Sequence, residues 1–242
     1  MNVKCLNRTL MTDQTCIDMD SISIQYIDHL VVASCHFDPM KFSDNDFNIL
    51  GVSLPTSLDA AVSKRKSEFL AGRYLATLAL TNIGFDEVNI GINENRAPIW
   101  PQGTLGSISH SLNTAKTIVT KNQHYRFIGV DIEYWISPSD ANLLVDNIVI
   151  NASEYTALLQ LMPFNQALTL IFSAKESLFK AIFKEVGHYF DFKAAKVSAI
   201  DFSQQQLTLT LTQHLSESMV SGRIFTCQFI QNDQSVTTLV TA

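Results

Sequence analysis

Two acidic side chains within a short apolar stretch are the first residues of this sequence that could carry out chemistry. The stretch Gly129-Val130-Asp131-Ile132-Glu133 is rich in β-branched residues and predicts a strand. Side chains alternate between the faces of a strand, so Asp131 and Glu133 point the same way. Val130 and Ile132 then point to the other face, toward the core. Neighbouring carboxylates repel unless a cation or water screens them, and their oxygens suit Mg²⁺. The alternative is a solvated polar face.

A third carboxylate stands on a predicted helix that runs from about residue 165 to 186. Glu176 and Lys180 are four residues apart and are therefore neighbours on one face of that helix, and Lys184 continues the charged row. Taken alone, such a pair is an ordinary surface ion pair that stabilises a helix by about 0.3 kcal/mol. Taken with the acidic strand, the helix predicts a site of three carboxylates and a lysine.

A histidine among hydroxyl groups is the next candidate. Ser109 and His110 belong to Gly106-Ser107-Ile108-Ser109-His110-Ser111. Hydroxyls beside a histidine can donate hydrogen bonds to a phosphate, and a structural histidine or a hydrolase triad are the alternatives. The sequence has no Gly-x-Ser-x-Gly nucleophile motif, which counts against the hydrolase.

Basic residues precede this segment. Lys64-Arg65-Lys66 and Arg73 belong to one predicted helix, and Arg96 follows in a polar region. Arginine can contact phosphate with two parallel hydrogen bonds, whereas lysine acts as a point charge. Arg65, Arg73 and Arg96 are therefore candidates for a pocket that binds an anionic ligand, and each taken singly also fits a solvated surface.

Helical and strand patterns alternate along both halves of the chain, which predicts an α+β fold with halves 1–125 and 126–242. Helices are predicted at residues 57–80, from Asn151 with Glu154 in a capping box, and at 165–186. Strands are predicted at residues 22–32, 106–120, 125–135, 206–211 and 223–230, and a polar loop at 37–46. Pro138 and its serine neighbours are expected to break the chain.

Composition narrows the possible functions. The net charge of −6 and the pI near 5.4 argue against nucleic-acid binding, which needs a basic face. No apolar stretch reaches the roughly 18 residues of a membrane span, and the N-terminal segment lacks the apolar core of a signal peptide. The 4 cysteines form no Cys-x-x-Cys pair. We expect a cytoplasmic protein with reduced thiols.

Four segments, in this order, resemble the Sfp-type 4′-phosphopantetheinyl transferases, most closely the enterobactin synthase component D branch. The resemblance covers roughly residues 60–190, and its two most specific segments are the acidic strand and the lysine-rich helix. The segments are Arg65-Lys66-Ser67-Glu68-Phe69-Leu70-Ala71-Gly72-Arg73, Trp100-Pro101-Gln102-Gly103 leading to Gly106-Ser107-Ile108-Ser109-His110-Ser111, Gly129-Val130-Asp131-Ile132-Glu133, and Phe172-Ser173-Ala174-Lys175-Glu176-Ser177-Leu178-Phe179-Lys180.

The resemblance implies a fold and a reaction. It implies a monomer of two similar α+β halves related by pseudo-twofold symmetry, with coenzyme A between them. The 4′-phosphopantetheine group of coenzyme A would pass to a serine of an apo acyl-, aryl- or peptidyl-carrier protein, releasing adenosine 3′,5′-bisphosphate. Asp131, Glu133 and Glu176 would hold Mg²⁺, and Lys180 would assist the leaving group. Glu176, or Glu133 through a metal-bound water, would accept the serine proton.

The resemblance also assigns the ligand contacts. Ser109 and His110 would contact the phosphates of coenzyme A, with His110 on the 3′-phosphate. Arg65, Arg73 and Arg96 would contact the nucleotide side.

Alternatives remain open from the sequence. One is a catalytically inactive homologue that binds coenzyme A or carrier domains, although no carboxylate or lysine of the motifs is missing. Another is a Mg²⁺-dependent phosphohydrolase. All-oxygen ligands admit Mn²⁺ as well as Mg²⁺. The carrier could serve siderophore, polyketide or polyunsaturated fatty-acid synthesis, and residues 138–154 are the candidate docking surface, expected to be apolar with a few basic residues. The length argues against the short trimeric holo-acyl-carrier-protein synthases.

Overall fold

The structure, a computed structural model, describes residues 15–86 and 88–242. The chain divides into two compact units, of which the second begins at Tyr125. The boundary expected from the sequence lies one residue further on, and the functions expected of the two halves stay predictions. Each unit contains an antiparallel sheet and one long helix packed on it, so the expected α+β class is confirmed.

The first unit is a four-stranded sheet with a helix on one face. Its elements are β1 (Ile17–Ile27), β2 (Leu30–Phe37), α1 (Asn45–Leu50), α2 (Ser63–Thr81), β3 (Thr104–Ser111) and β4 (Thr114–Lys121). The strands are antiparallel in the order β1-β2-β4-β3. Leu70 and Leu75 of α2 are fully buried in the core that this helix forms with the sheet.

Helix α2 approaches the sheet closely because it carries a glycine at the contact. A Cβ atom at Gly72 would lie 2.6 Å from Cγ2 of Ile108 on β3, closer than real Cβ contacts allow. The Thr117 hydroxyl of β4 donates a hydrogen bond to the Gly72 carbonyl over 3.3 Å. These contacts hold the first turns of α2, which contain basic residues, beside β3, the strand that contains His110.

The second unit is a five-stranded sheet covered by the longest helix of the described chain. Its elements are β5 (Ile128–Tyr134), α3 (Pro138–Ile148), α4 (Phe164–Val186), β6 (Ala195–Asp201), β7 (Gln206–Leu211), β8 (Ile224–Gln231) and β9 (Ser235–Thr241). The antiparallel order β5-β9-β8-β7-β6 places β5 at an edge. Helix α4 packs on β5 and β9 and ends at Gly187, whose φ of 76° is left-handed.

Several predicted elements agree in position with the elements of the structure. The helix predicted at residues 165–186 is α4, and the strand predicted at 206–211 is β7. The strands predicted at 125–135 and 223–230 contain β5 and nearly all of β8. Strands β6 and β9 were not predicted.

Two stretches predicted as single strands are wrong, because each contains a tight turn. Residues 22–32 span the end of β1 and the start of β2, with Asp28 at a φ of 50° in the turn. Residues 106–120 form the hairpin of β3 and β4, with Leu112 at a φ of 50°. Neither turn carries the glycine that a positive φ usually indicates.

The predicted helix boundaries also need correction. The helix expected at residues 57–80 is a 3₁₀ turn, Thr56–Leu58, followed by α2, because Val62 is extended. The loop expected at residues 37–46 includes the start of α1. Pro138, expected to break the chain, begins α3 at a position that needs no N–H donor, and the Ser137 hydroxyl accepts from the Asp140 N–H.

The helix expected from Asn151 is a single 3₁₀ turn, Ala152–Glu154. The Glu154 carboxylate is buried and bonded elsewhere, so it does not complete a capping box. In the described residues, no helix is long and apolar enough to cross a membrane. Cys16, Cys35 and Cys227 are free and buried, and Cys5 lies outside the described residues.

Candidate active site

The acidic pair on β5 lies on the face that α4 covers. A Cβ atom at Gly129 would lie 2.0 Å from the carbonyl oxygen of Ser177, so this face of β5 touches the helix directly. Strand alternation places Asp131 and Glu133 on the same face. Asp131 is only 2% exposed, and Glu133 is half-buried. A solvated polar face is therefore excluded for Asp131.

The two apolar residues of this stretch point the other way, as expected, and they are also buried. Val130 is 1% exposed and Ile132 is 5% exposed. The helix nevertheless covers the acidic face rather than the apolar one. Strand β5 thus presents its carboxylates to α4 from the edge of the sheet.

Lys180 contacts the strand carboxylate. Its ammonium nitrogen Nζ lies 2.6 Å from Oδ1 of Asp131, and the two side chains are 25% and 3% exposed. A charge-assisted bond of this length between partly desolvated groups is stronger than a surface ion pair. The tertiary partner of Lys180 is therefore Asp131, whereas helical spacing alone suggested a pair with Glu176.

Glu176 completes the cluster one turn earlier on α4. It is half-buried, and burial raises the pKa of its carboxyl above the usual range. The positive charge of Lys180 opposes that rise in pKa, and the negative charge of Asp131 adds to it. Asp131, Glu176 and Lys180 thus form a partly desolvated cluster in which the charge of Asp131 acts on Glu176.

The predicted metal ligands fit a divalent cation by type. Carboxylate oxygens are hard donors, and the repulsion between Asp131 and Glu176 is what a bound cation would relieve. In residues 15–86 and 88–242, however, no three His, Cys, Asp or Glu side chains are grouped so as to hold a metal ion. The ammonium of Lys180 is the cation on Asp131 in this arrangement.

Hydroxyl groups hold α4 against β9 beneath this cluster. Ser177 donates to the carbonyl of Thr238 over 3.0 Å, and its hydroxyl also lies 2.7 Å from that of Thr238. Ser173 bonds to the same threonine hydroxyl over 2.9 Å. Thr238 is the cross-strand partner of Asp131. The helix register that aligns Lys180 with Asp131 is therefore fixed by buried polar contacts.

A buried ion pair that the sequence pattern did not indicate anchors the other side of α4. Lys175 Nζ lies 2.8 Å from Oε2 of Glu154, and the side chains are 2% and 1% exposed. Lys175 also donates to the carbonyl of Ile148, over 2.7 Å. Glu154 accepts from the backbone N–H groups of Ile150 and Val197. This pair joins α4, the end of α3 and β6.

Aromatic side chains form a wall next to Glu176. The ring centroids of Phe183, Tyr189 and Phe190 lie 5.1, 5.2 and 4.9 Å from that of Phe179. Phe179 and Glu176 also line the same small cavity. The acidic cluster is therefore bordered by apolar surface. The high density of phenylalanine in this region was the sequence signal that could have indicated this surface.

The first unit contains a separate pocket of about 430 Å³ that collects four of the predicted ligand contacts. Arg65, Arg73 and Arg96 all line it, together with His110. Its remaining lining residues are Ser57, Leu58, Ala61, Glu68, Phe69, Ile92, Pro98 and Ile108. Three guanidinium groups around one apolar-walled cavity suit an anionic ligand with a flat hydrophobic part.

Arg73 is the most buried of these arginines, at 7% exposure. Its Nε donates to the carbonyl of Ile90 over 3.0 Å, and its guanidinium carbon lies 4.6 Å from the Phe69 ring centroid. Burial, with a smaller contribution from the charge of Arg65, lowers the pKa of Arg73 to about 10. It remains charged at neutral pH, so an anion in the pocket would relieve an unfavourable concentration of positive charge.

Ser109 does not line this pocket, because it points to the face of β3 opposite His110. It is 4% exposed and pairs across the sheet with Lys116 of β4. Burial lowers the pKa of Lys116, a residue that the sequence analysis did not consider. The role of Ser109 as a phosphate contact stays a prediction.

Comparison with known proteins assigns the family. The family model of the 4′-phosphopantetheinyl transferase N-terminal domain matches residues 55–120, and that of the 4′-phosphopantetheinyl transferase superfamily matches residues 127–237. The two matches cover most of the chain, which therefore belongs to the 4′-phosphopantetheinyl transferases. It transfers 4′-phosphopantetheine from coenzyme A to an apo carrier protein. The Sfp-type resemblance is confirmed.

Particular relatives refine this assignment. The chain is 36% identical over 206 residues to enterobactin synthase component D of Salmonella typhimurium, covering 85% of this chain and 83% of that protein. It is 42% identical over 145 residues to enterobactin synthase component D of Escherichia coli K12, with coverages of 60% and 67%. It is 29% identical over 143 residues to 4′-phosphopantetheinyl transferase PptT of Mycobacterium tuberculosis, with coverages of 57% and 60%.

Proposed function

We propose that this transferase is Mg²⁺-dependent and modifies aryl- and peptidyl-carrier domains of siderophore synthesis, with Glu176 as its general base and Lys180 as the residue that assists the leaving group. The contact of Lys180 with Asp131, one turn from Glu176, is the single observation that carries the catalytic part. The name enterobactin synthase component D, shared by several relatives, supports the choice of carriers.

Glu176 is the proposed general base. In the reaction the serine Oγ of the carrier forms a bond to the β-phosphorus of coenzyme A, and the bond from that phosphorus to the bridging oxygen breaks. The serine proton passes to the Glu176 carboxylate. In the metal-free protein, burial raises the pKa of this carboxyl, which makes it a better proton acceptor than an exposed glutamate. Glu133, on the neighbouring strand, is the alternative base.

Lys180 is the proposed electrostatic partner of the leaving group. Adenosine 3′,5′-bisphosphate departs with negative charge on the oxygen that had bridged the two phosphorus atoms. The ammonium of Lys180 already lies in the carboxylate cluster, so it can stabilise this charge without a large movement. Its 25% exposure leaves it accessible to a phosphate.

Asp131, Glu133 and Glu176 are the proposed ligands of Mg²⁺. The bound ion would neutralise charge on the pyrophosphate of coenzyme A. Lys180 would then leave Asp131 and contact a substrate phosphate instead, because one carboxylate oxygen cannot bind an ammonium group and a metal ion equally well. Mn²⁺ is an alternative ion for the same oxygen donors.

The arginine pocket of the first unit is the proposed site for the nucleotide side of coenzyme A. Arg65, Arg73 and Arg96 supply positive charge, and His110 lines the same cavity. Phe69 and Ile108 supply apolar walls suited to a base. We further propose that the protein acts as a monomer in the cytoplasm, where coenzyme A is the available donor.

The proposed carrier-docking surface is residues 138–154. Helix α3 exposes Leu143 at 77% and Leu144 at 40% there, which suits apolar docking. The segment contains no lysine or arginine, so the basic contacts expected for an acidic carrier are not within it.

The proposal is tested by intact-mass spectrometry of apo aryl-, peptidyl- and acyl-carrier domains after incubation with the protein, coenzyme A and Mg²⁺. We expect a mass gain of one phosphopantetheine, fastest on aryl or peptidyl carriers. EDTA and Asp131→Ala should each abolish it, because the carboxylate donors hold the ion. The exposed Glu217→Ala variant is the control and should retain the wild-type rate.

The outcomes separate the alternatives. Modification that survives EDTA would contradict the metal proposal, and faster modification of acyl carriers would contradict the siderophore assignment. Binding of coenzyme A with no mass gain on any carrier would favour the inactive homologue. Phosphopantetheine released into solution would favour a phosphohydrolase.

Replacing Lys180 by alanine should lower the transfer rate about 10²–10³-fold, as loss of one preorganised charge does in other active sites. Affinity for coenzyme A should fall less, because the arginine pocket remains. Single-turnover rates and calorimetric titration with coenzyme A measure the two effects. Lys184→Ala, one turn further along α4 and exposed, is the matched control. An unchanged rate in Lys180→Ala would remove the leaving-group role.

A further inference from the structure

A single carboxylate lies among the arginines of the pocket in the first unit. Among the described residues of the lining, Glu68 on α2 is the only acidic one, and its side chain is 12% exposed. A negative charge inside an anion-binding cavity opposes the ligand by itself. Glu68 must therefore favour ligand binding in some other way, and the residues that it contacts indicate how.

Glu68 contacts an arginine and a histidine at one side of the cavity. Its Oε2 lies 3.4 Å from Nη1 of Arg65 and 3.8 Å from Nδ1 of His110. The same Arg65 nitrogen lies 3.1 Å from Nε2 of His110. These three side chains form a closed triangle in which the carboxylate faces one ring nitrogen and the arginine faces the other.

The triangle determines where the imidazole carries its proton. A guanidinium group can only donate hydrogen bonds, so Nε2 of His110 must accept the bond from Arg65. The ring proton of neutral His110 is then on Nδ1, toward the carboxylate. Glu68 thus stabilises both the position of Arg65, whose side chain is otherwise 46% exposed, and this tautomer of His110.

We propose that Glu68 is a positioning residue that holds Arg65 and His110 ready for the phosphate of coenzyme A which the pocket receives. This inference rests on the proposed function of that pocket. When the phosphate enters, it takes the place of Nε2 as acceptor of the Arg65 hydrogen bond. Nε2 then binds a proton from the solvent and donates it in a hydrogen bond to the phosphate, and the positive charge of the ring is balanced by Glu68, which lies on the Nδ1 side. The carboxylate contacts no substrate atom and acts through its two neighbours.

Glu68→Ala tests the proposal with two readouts. The first is the tautomer of His110 in the free protein, read from two-bond ¹H–¹⁵N spectra of histidine-labelled protein, with His110→Gln for assignment. We expect the Nδ1–H tautomer in the wild type and the Nε2–H tautomer, which free imidazole side chains favour, in Glu68→Ala. A merely structural role for Glu68 would not move this signal.

The second readout is affinity for coenzyme A. Glu68→Ala should weaken binding and raise KM about 10–100-fold, as expected for losing hydrogen bonds to charged groups, with kcat nearly unchanged. Binding of 3′-dephospho-coenzyme A should change less. Glu68→Asp should recover part of the affinity. Asp86→Ala removes an equal charge from an exposed position of the same unit and should change neither readout.

An unchanged His110 tautomer, or equal or tighter binding of coenzyme A by Glu68→Ala, would overturn the positioning role. The second result would mean that Glu68 acts only as a repulsive charge. A wild-type protein inactive on every carrier would overturn the proposed function alone, because the tautomer is read without substrate and the affinity without a carrier.

Discussion

Replacing Glu176 by glutamine is expected to lower the single-turnover transfer rate by about 10²–10⁴-fold, the usual contribution of a general base. Glutamine keeps the size of the side chain but cannot accept the serine proton. Affinity for coenzyme A should largely survive, because the arginine pocket lies in the other unit of the chain. Intact-mass measurement of carrier modification gives the rate, and calorimetric titration gives the affinity.

Stability measurements separate this loss from unfolding. A carboxyl whose pKa is raised in the folded state favours folding while protonated, and that contribution is lost as pH rises through the raised pKa. Ionised Glu176 is therefore unfavourable to folding at neutral pH. Without added metal, Glu176→Gln should unfold at the wild-type temperature or above it. Near-normal turnover would instead assign the base role to Glu133, and Glu217→Gln is the matched control.

Glu154→Ala is expected to lower the free energy of unfolding by about 3–5 kcal/mol, the usual effect of breaking a buried ion pair. The substitution leaves the ammonium of Lys175 buried at 2% exposure without its carboxylate. Burial already lowers the pKa of Lys175, and the charge of Glu154 is what opposes that fall. Two backbone N–H groups, of Ile150 and Val197, also lose their acceptor. Urea denaturation followed by circular dichroism measures the effect.

A double variant distinguishes the lost partner from lost packing. Glu154→Leu with Lys175→Met removes both charges, so it should be markedly more stable than Glu154→Ala, because no buried charge is left uncompensated. Glu217→Ala, at an exposed position, should change the unfolding free energy by less than about 0.5 kcal/mol. A small effect of Glu154→Ala would show that Lys175 reaches water, contrary to the buried pair.

Tight turns account for the two wrongly predicted strands. Alternating apolar residues continue through both hairpins of the first unit, and the turns at Asp28 and Leu112 lack glycine. The pattern therefore indicated strand without showing where the chain reverses. Pro138 was expected to break the chain, but it begins α3, because proline can either end a helix or begin one. Which applies depends on the capping partner, here Ser137.

The sequence by itself determined the elements that carry the chemistry, because their signals are local. Period-2 alternation placed Asp131 and Glu133 on one face of β5, and helical spacing joined Glu176 to Lys180. The same patterns predicted α4 and β7, and the order of the motifs indicated the family. Apart from the order of the motifs, which extends over roughly residues 60–190, these inferences depend only on residues close together in the chain.

The tertiary structure alone decided how those side chains are paired. It paired Lys180 with Asp131, 49 residues away, and Lys175 with a buried Glu154 that the sequence suggested was a helix cap. It also brought Glu68 beside His110 from another element. Such contacts depend on how helices pack on sheets, and the burial that makes them strong exists only once the chain has folded.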